Sequence, residues 1–195
     1  MALLIEAAGW PRLRPPQETH FEALVRSVLY QQLAGAAAAT IHRRFVALCE
    51  DDVSPERVVT LDPLAMRGAG LSGNKAASIS DLAAKVLEGT VVLDRRSIAR
   101  EGDEEVITRL TAVRGIGRWT AEMFLMFQLR RLDVWPVGDL GVRKGYGLAY
   151  GIPMPSAKEL GPLGDTYRPY RSVAAWYCWR ACEVYAGAAD SALTR

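Results

Sequence analysis

The stretch Val113 to Met123, VRGIGRWTAEM, places two glycines around an isoleucine and then starts an apolar helical pattern at once. A tight turn between two helices needs backbone angles that side chains resist, and glycine supplies them. Gly115 and Gly117 also clear side chains from one surface. Backbone N–H groups of the turn and of the helix start then face outward without intrahelical partners. Such a start attracts an anion, and a phosphate gripped by backbone carries no base information. Gly-x-Gly is also a plain helix corner. The surroundings favour the anion: Arg114 and Arg118 bracket the turn, and Asp139 lies 22 residues after Gly117 (139 − 117), just beyond Pro136 and Gly138. An isolated aspartate there reads as the N-cap of a helix starting at Leu140.

The elements that must position these residues read as almost all helix. Leu, Ala, Glu and Arg dominate, and strand-like alternation is scarce. After the Pro-rich WPRLRPPQ, a helix starts near Glu18 or Thr19 and carries Phe21, Leu24, Val25 and Val28; Gln31, Gln32 and Leu33 form the seam to a second helix with Ile41, Phe45, Val46 and Leu48. Ser54-Pro55 and Asp62-Pro63 are N-cap and first-turn pairs of two short helices. Ser72 or Asn74 caps the next helix, which Gly89 ends. Val106, Ile107 and Leu110 give an apolar face before the hairpin, and Trp119, Met123, Met126 and Phe127 follow it on helical spacing. DVWPVGDLGVRKGYGLAYG holds a short extended segment, then Asp139, then a helix, and an aromatic-rich helix closes the chain.

Composition bounds the function. The 195 residues fit one domain or two small lobes, with half of them hydrophobic and 24% charged. The net charge of +2 is too mild to announce nucleic acid by itself. No apolar run approaches a membrane span, and the N-terminus lacks the basic start of a secretory signal. Cys49, Cys178 and Cys182 are too few and too odd in number for a disulfide framework, which fits a reducing compartment. Cys178 and Cys182 stand four apart but lack two further ligands, and the only histidines are His20 and His42, so no zinc or iron–sulfur site is expected.

LTAVRGIGRWTAEMFLMFQLRRLDVWPVGD resembles the helix–hairpin–helix, Gly/Pro-rich loop and aspartate signature of base-excision DNA glycosylases. Within that superfamily it is most similar to the 3-methyladenine DNA glycosylase II branch. FEALVRSVLYQQLAGAAAATIHRRF, AGLSGNKAASISDLA and YRPYRSVAAWYCWR resemble segments of that branch in the same order, so the resemblance covers roughly residues 18 to 182. It implies an all-α, two-lobed helical bundle with an active-site cleft between the lobes. The expected lobes are residues 1–20 plus 140–195, and 21–139 with the hairpin at 104–127, without the N-terminal β-domain of some relatives.

The resemblance also assigns roles. Asp139 matches the catalytic aspartate, whose anion stabilises the oxocarbenium-like sugar formed as the N-glycosidic bond breaks. Lyase members carry a lysine two residues after the second hairpin glycine; here that position is Trp119, so no Schiff base forms and an abasic site is left. Trp119 and Trp179 match aromatic positions of the base pocket, where electron-rich rings attract a cationic alkylpurine. Met123 stands where some relatives have tyrosine, and Arg180 replaces an aromatic of others. Trp176 and Tyr177 read as core. Leu33, with Gln32 beside it, matches the wedge that fills the gap left by a flipped base. Gly115, Gly117, Arg118 and Thr120 would bind phosphate, and the carbonyls of Thr111, Val113 and Ile116 could hold a monovalent cation. No other cofactor is required. The expected partner is damaged duplex DNA and not a membrane, and the chain is expected to act as a monomer, in the cytoplasm or a nucleus. The expected activity is release of 3-methyladenine- or 7-methylguanine-type bases. Etheno, deaminated or N1/N3-methylated bases are the alternative substrates, and a non-catalytic DNA-binding module is the alternative class.

Overall fold

The computed structural model describes residues 1–11 and 15–192, with side chains up to residue 185. The Pro-rich entry and the C-terminal end of the first expected lobe therefore lie partly outside the described residues. Among the described residues, twelve α-helices follow in order: α1 (Ala2–Ala8), α2 (His20–Tyr30), α3 (Gly35–Leu48), α4 (Pro55–Val59), α5 (Pro63–Gly68), α6 (Gly73–Leu87), α7 (Arg95–Ile98), α8 (Asp103–Thr111), α9 (Arg118–Met123), α10 (Leu140–Tyr150), α11 (Ala157–Leu163) and α12 (Arg171–Ala192). A π-helical turn, Phe124–Gln128, continues α9, and a short 3-10 turn spans Asp165–Tyr167. There is no strand among the described residues, so the fold is all-α.

The chain divides into two compact units. One holds Met1–Pro15 and Leu125–Arg195, the other Pro16–Phe124. The boundary differs from the one expected at Asp139. It falls inside the π turn, because residues 125–138 are fastened to the start of α12 by side chains. The Val134 N–H donates to Ser172 Oγ at 2.9 Å, and that hydroxyl donates to the Arg131 carbonyl at 2.7 Å. Asp133 accepts from Arg171 Nε at 2.8 Å and from Arg168 Nη1 at 3.0 Å, and the Arg171 guanidinium holds its carboxyl below the usual range. Trp135 Nε1 donates to the Leu160 carbonyl at 2.9 Å. The expected extended segment is thus an irregular strap with no ladder of its own.

In the unit of residues 16–124, side-chain caps fix where helices begin. Thr19 caps α2 and exchanges hydrogen bonds with Glu22. Ser54, Asp62 and Ser72 cap α4, α5 and α6. Each such cap is worth about 1 kcal/mol. The core is built from Leu24, Val28 and Leu29 of α2, Phe45 of α3, Ile79 and Leu82 of α6, and Val106 and Leu110 of α8. Val113 and Ile116 are buried too, so the hairpin turn is pinned by its own apolar side chains.

In the other unit, α10 and α12 cross with almost no space between them. A Cβ placed on Gly145 would sit 1.7 Å from the Cys178 carbonyl oxygen. One on Gly141 would meet the Trp179 ring at 2.7 Å. Burial at this crossing pushes the Cys178 thiol up to about 12, which marks it as an inert packing group rather than a nucleophile. Leu4 of α1 joins Tyr177 and Ala181 in a small core on another side of α12. The expected core role of Tyr177 holds. Trp176 is only partly buried and packs against that cluster from outside.

Gly145→Ala should force α10 and α12 apart and cost about 2–4 kcal/mol, at the severe end for one added methyl because the obstacle is backbone. Thermal unfolding checks this. A melting temperature unchanged from wild type would refute the close crossing.

Candidate functional site

The α10–α12 crossing carries a carboxylate. Asp139 is the N-cap of α10, and its Oδ1 accepts from the Val142 N–H at 2.7 Å. The same oxygen accepts from Trp179 Nε1 at 2.9 Å. The side chain is 7% exposed. The cap and the indole orient the carboxylate together, and Gly141 leaves room for the ring to reach it. Trp179 is in turn stacked on Phe127, with centroids 5.8 Å apart and planes 29° apart. A fixed, largely desolvated carboxylate beside an electron-rich stack can stabilise a developing positive charge. Arg180 does not join this group. Its guanidinium lies 5.7 Å from the Trp176 ring centroid and pairs with Glu183.

The hairpin belongs to the other unit and is held from three sides. Asp81 of α6 accepts the Arg114 N–H at 2.8 Å and pairs with Lys85. Burial pushes the Asp81 carboxyl up, but the Lys85 and Arg114 hydrogen bonds outweigh it and hold the group below its usual value. Gln31, at the end of α2, donates from Nε2 to the Gly115 carbonyl at 3.1 Å and to Thr120 Oγ1 at 3.5 Å. Gly115 has φ +75, and a Cβ there would meet Ser78 Oγ at 2.3 Å. Gly115 is therefore required by the fold itself. Gly117 is not: its φ of −92 suits any residue, and a Cβ would meet nothing within 4 Å. As the N-cap of α9 it offers no side chain to the first-turn N–H groups.

Two hairpin residues expected at the phosphate grip have partners within the protein. Thr120 is 5% exposed and its hydroxyl meets Gln31, so it has no side chain to offer a phosphate. The Arg118 guanidinium is engaged by two carboxylates, Glu104 and Glu122. Hydrogen bonding to Glu104 raises the Arg118 pKa further, and the same bond lowers that of Glu104. As for a cation, the Thr111 hydroxyl turns back to the Ile107 and Thr108 carbonyls and stays out of the turn. The Val113 carbonyl accepts the Ile116 N–H at 3.1 Å, which uses one of its two lone pairs. The Thr111 carbonyl lies at the C-terminal end of α8, the negative end of its dipole, whereas Ile116 directly precedes the N-cap of α9. Among the described residues, no three His, Cys, Asp or Glu side chains come together as metal ligands.

Trp119 and Met123 line a cavity of about 550 Å³ together with Tyr30, Gln31, Gln32 and Gly117. Trp119 is 49% exposed and is not core. Gln32 takes φ 56, a left-handed conformation that is uncommon outside glycine, and Leu33 beside it is exposed on the loop rather than buried at a helix end. Lys75 fastens the last turn of α2 by donating to the Leu29 carbonyl at 2.6 Å, and burial lowers its pKa.

Sequence reading missed Gln31, Asp81, Tyr30 and Phe127 as parts of these arrangements. The partners of Gln31 and Asp81 lie 84 and 33 residues away, beyond any local pattern. Phe127 read as one more apolar helical position. Both Met126 and Phe127 lie in the π turn, where Met126 is buried while Phe127 is 44% exposed and stacks on Trp179. π turns recur at functional sites, but apolar periodicity does not reveal them.

Among similar proteins, DNA-3-methyladenine glycosylase 1 of Schizosaccharomyces pombe is 35% identical over 167 residues, covering 84% of this chain and 73% of that protein. The solved structure of a DNA-3-methyladenine glycosidase from Bacillus halodurans superimposes with a TM-score of 0.86 at 37% identity, covering 95% of this chain and 85% of the other. An S. pombe 3-methyladenine DNA glycosylase, solved in complex with abasic DNA, gives a TM-score of 0.81 at 33% identity over 93% of this chain and 90% of the other. Residues 25–161, which span the Gln31 loop, the hairpin and Asp139, match the HhH-GPD superfamily of base excision DNA repair proteins, and the chain belongs to that family.

Proposed function

We propose that this protein is a monofunctional DNA glycosylase that removes alkylated purines of the 3-methyladenine and 7-methylguanine type from duplex DNA and leaves an abasic site. The observation that carries the reading is the Asp139 carboxylate, buried, capped onto α10 and oriented by the Trp179 indole. Breaking the N-glycosidic bond builds positive charge on the deoxyribose, and a preorganised anion stabilises that charge without reorganising. The base leaves with the bonding electron pair, and water adds to the anomeric carbon of the sugar cation and releases a proton to solvent. Alkylated purines leave readily because the alkylated ring already carries the charge that a general acid would otherwise supply.

The other roles follow from chemistry. Trp119 presents an indole face to a cationic base, and having no amine it forms no Schiff base with the abasic sugar. Leu33 serves as the wedge that takes the place of the extruded nucleotide, with Gln32 beside it. The hairpin grips the backbone through Gly115 and Gly117, independent of sequence. A monovalent cation on the Thr111, Val113 and Ile116 carbonyls would add positive charge at that grip. The relatives' names, which specify 3-methyladenine, support the substrate class. We take the chain to act as a monomer on chromosomal DNA.

Asp139→Asn keeps an oxygen for the Val142 and Trp179 hydrogen bonds, and asparagine caps helices as well as aspartate does. Base release from methylated duplex should fall at least about a hundredfold while the melting temperature and DNA affinity stay close to wild type. Chromatography of released bases, with strand integrity scored before and after alkali, measures both claims. Full turnover by the variant would refute the mechanism, and wild-type DNA binding without base release would point to a binding module.

The two hairpin glycines should separate fold from grip. Gly115→Ala should destabilise the unit by about 1–3 kcal/mol, since it adds both backbone strain and a clash with Ser78. Gly117→Ala should melt like wild type yet weaken binding to undamaged duplex, because its methyl projects only into open space. Equal affinity for Gly117→Ala and wild type would remove this glycine from the grip.

A further inference from the structure

The guanidinium of Arg118 carries two carboxylates of unequal standing. Glu122, one turn further along the same helix, accepts from Nε at 3.0 Å, and its side chain is only 5% exposed. Glu104, in the first turn of α8, takes the opposite edge with both oxygens, one of them 2.9 Å from Nη1 and the other on Nη2. Its side chain is 71% exposed. Removing the cation from a buried carboxylate is expensive, so Glu122 keeps Arg118 where it is. The exposed pair is weak, because water screens it and two long side chains must be held still. The Nη edge is therefore the exchangeable side of the guanidinium.

That edge has the shape of a phosphate site. A guanidinium fork that matches two carboxylate oxygens matches two phosphate oxygens equally well. Arg118 directly follows Gly117, the residue whose missing side chain leaves open space on the hairpin. Hydrogen bonding to Arg118 holds the Glu104 carboxyl below its usual value, so Glu104 is an anion throughout the neutral range.

We propose that the Nη edge of Arg118 is a binding site for a phosphate diester, and that the Glu104 carboxylate occupies it as an internal surrogate until DNA displaces it. The inference rests on the reading of the hairpin as a backbone grip. Glu122 anchors and aims the fork. Glu104 keeps the free protein from presenting a bare cation, and each landing on DNA must first displace it. The gain from contact is then only the difference between phosphate and carboxylate. Glu104 thereby weakens the hold on undamaged backbone while leaving the site intact.

The test is the affinity of the full chain for an undamaged fluorescent duplex, measured by anisotropy over a range of salt. Glu104→Gln should bind roughly three- to fivefold more tightly at low salt, the scale of an exposed ion pair. Asp103→Asn removes the same charge one residue away and should give less than half of that gain. The gain from Glu104→Gln should vanish in an Arg118→Ala background. Because Arg118→Ala also removes an ion pair of the buried Glu122, the cycle is repeated with Glu122→Gln, and every variant is melted. A gain of equal size with and without Arg118 would reduce Glu104 to a distant charge and overturn the proposal. An unchanged affinity for Glu104→Gln in a protein that binds DNA in a salt-dependent way would overturn it while sparing the grip. Wild-type protein without salt-dependent DNA binding would overturn both.

Discussion

The close crossing of α10 and α12 is the constraint from which the candidate active site follows. Two helices can approach until backbone touches backbone only if the residues at the contact lack a Cβ. Gly145 meets that condition against the Cys178 carbonyl, and Gly141 leaves room for the Trp179 ring. With the helices that near, an indole on α12 reaches the carboxylate at the start of α10 at 2.9 Å. Side chains larger than hydrogen at these two positions would separate the indole from the acid even if every helix still formed. The chemistry attributed to Asp139 thus depends on two residues that take no part in it.

The hairpin shows another way of fixing a site. Its turn is short, and its rigidity comes from partners distant in sequence: Asp81 on the Arg114 amide, Gln31 on the Gly115 carbonyl, and Ser78 packed where a Cβ of Gly115 would be. Val113 and Ile116 anchor it below. The surface that remains open, at Gly117, is the part with no structural need for glycine. A position kept bare where the fold permits a side chain is better explained by what approaches it than by what lies beneath it.

Local chemistry was legible in the residues. The Ser54-Pro55 and Asp62-Pro63 starts, a helix start near Glu18 or Thr19, and Asp139 as a cap all follow from rules that act over three or four residues. The GIG turn between two helices was equally plain. What could not be read was pairing across the chain. Nothing near Arg118 says that an acid 14 residues upstream takes its outer edge, or that Thr120 faces inward to Gln31. The unit boundary was misplaced for a related reason. The strap from residue 130 to 138 has no periodicity of its own, and it is tied down by Arg171 and Ser172, some forty residues later.

The double employment of Asp139 has a consequence for how such a protein diverges. The residue begins a helix and secures an indole whether or not any bond is broken. A lineage that abandoned catalysis would still be held to a capping oxygen at this position, because its loss would cost stability at once. Drift would act first on positions that the fold leaves open, such as the exposed Trp119 and Leu33 and Gly117, where a Cβ would meet nothing within 4 Å. In descendants of this chain, those three positions would record a change of occupation sooner than the aspartate itself.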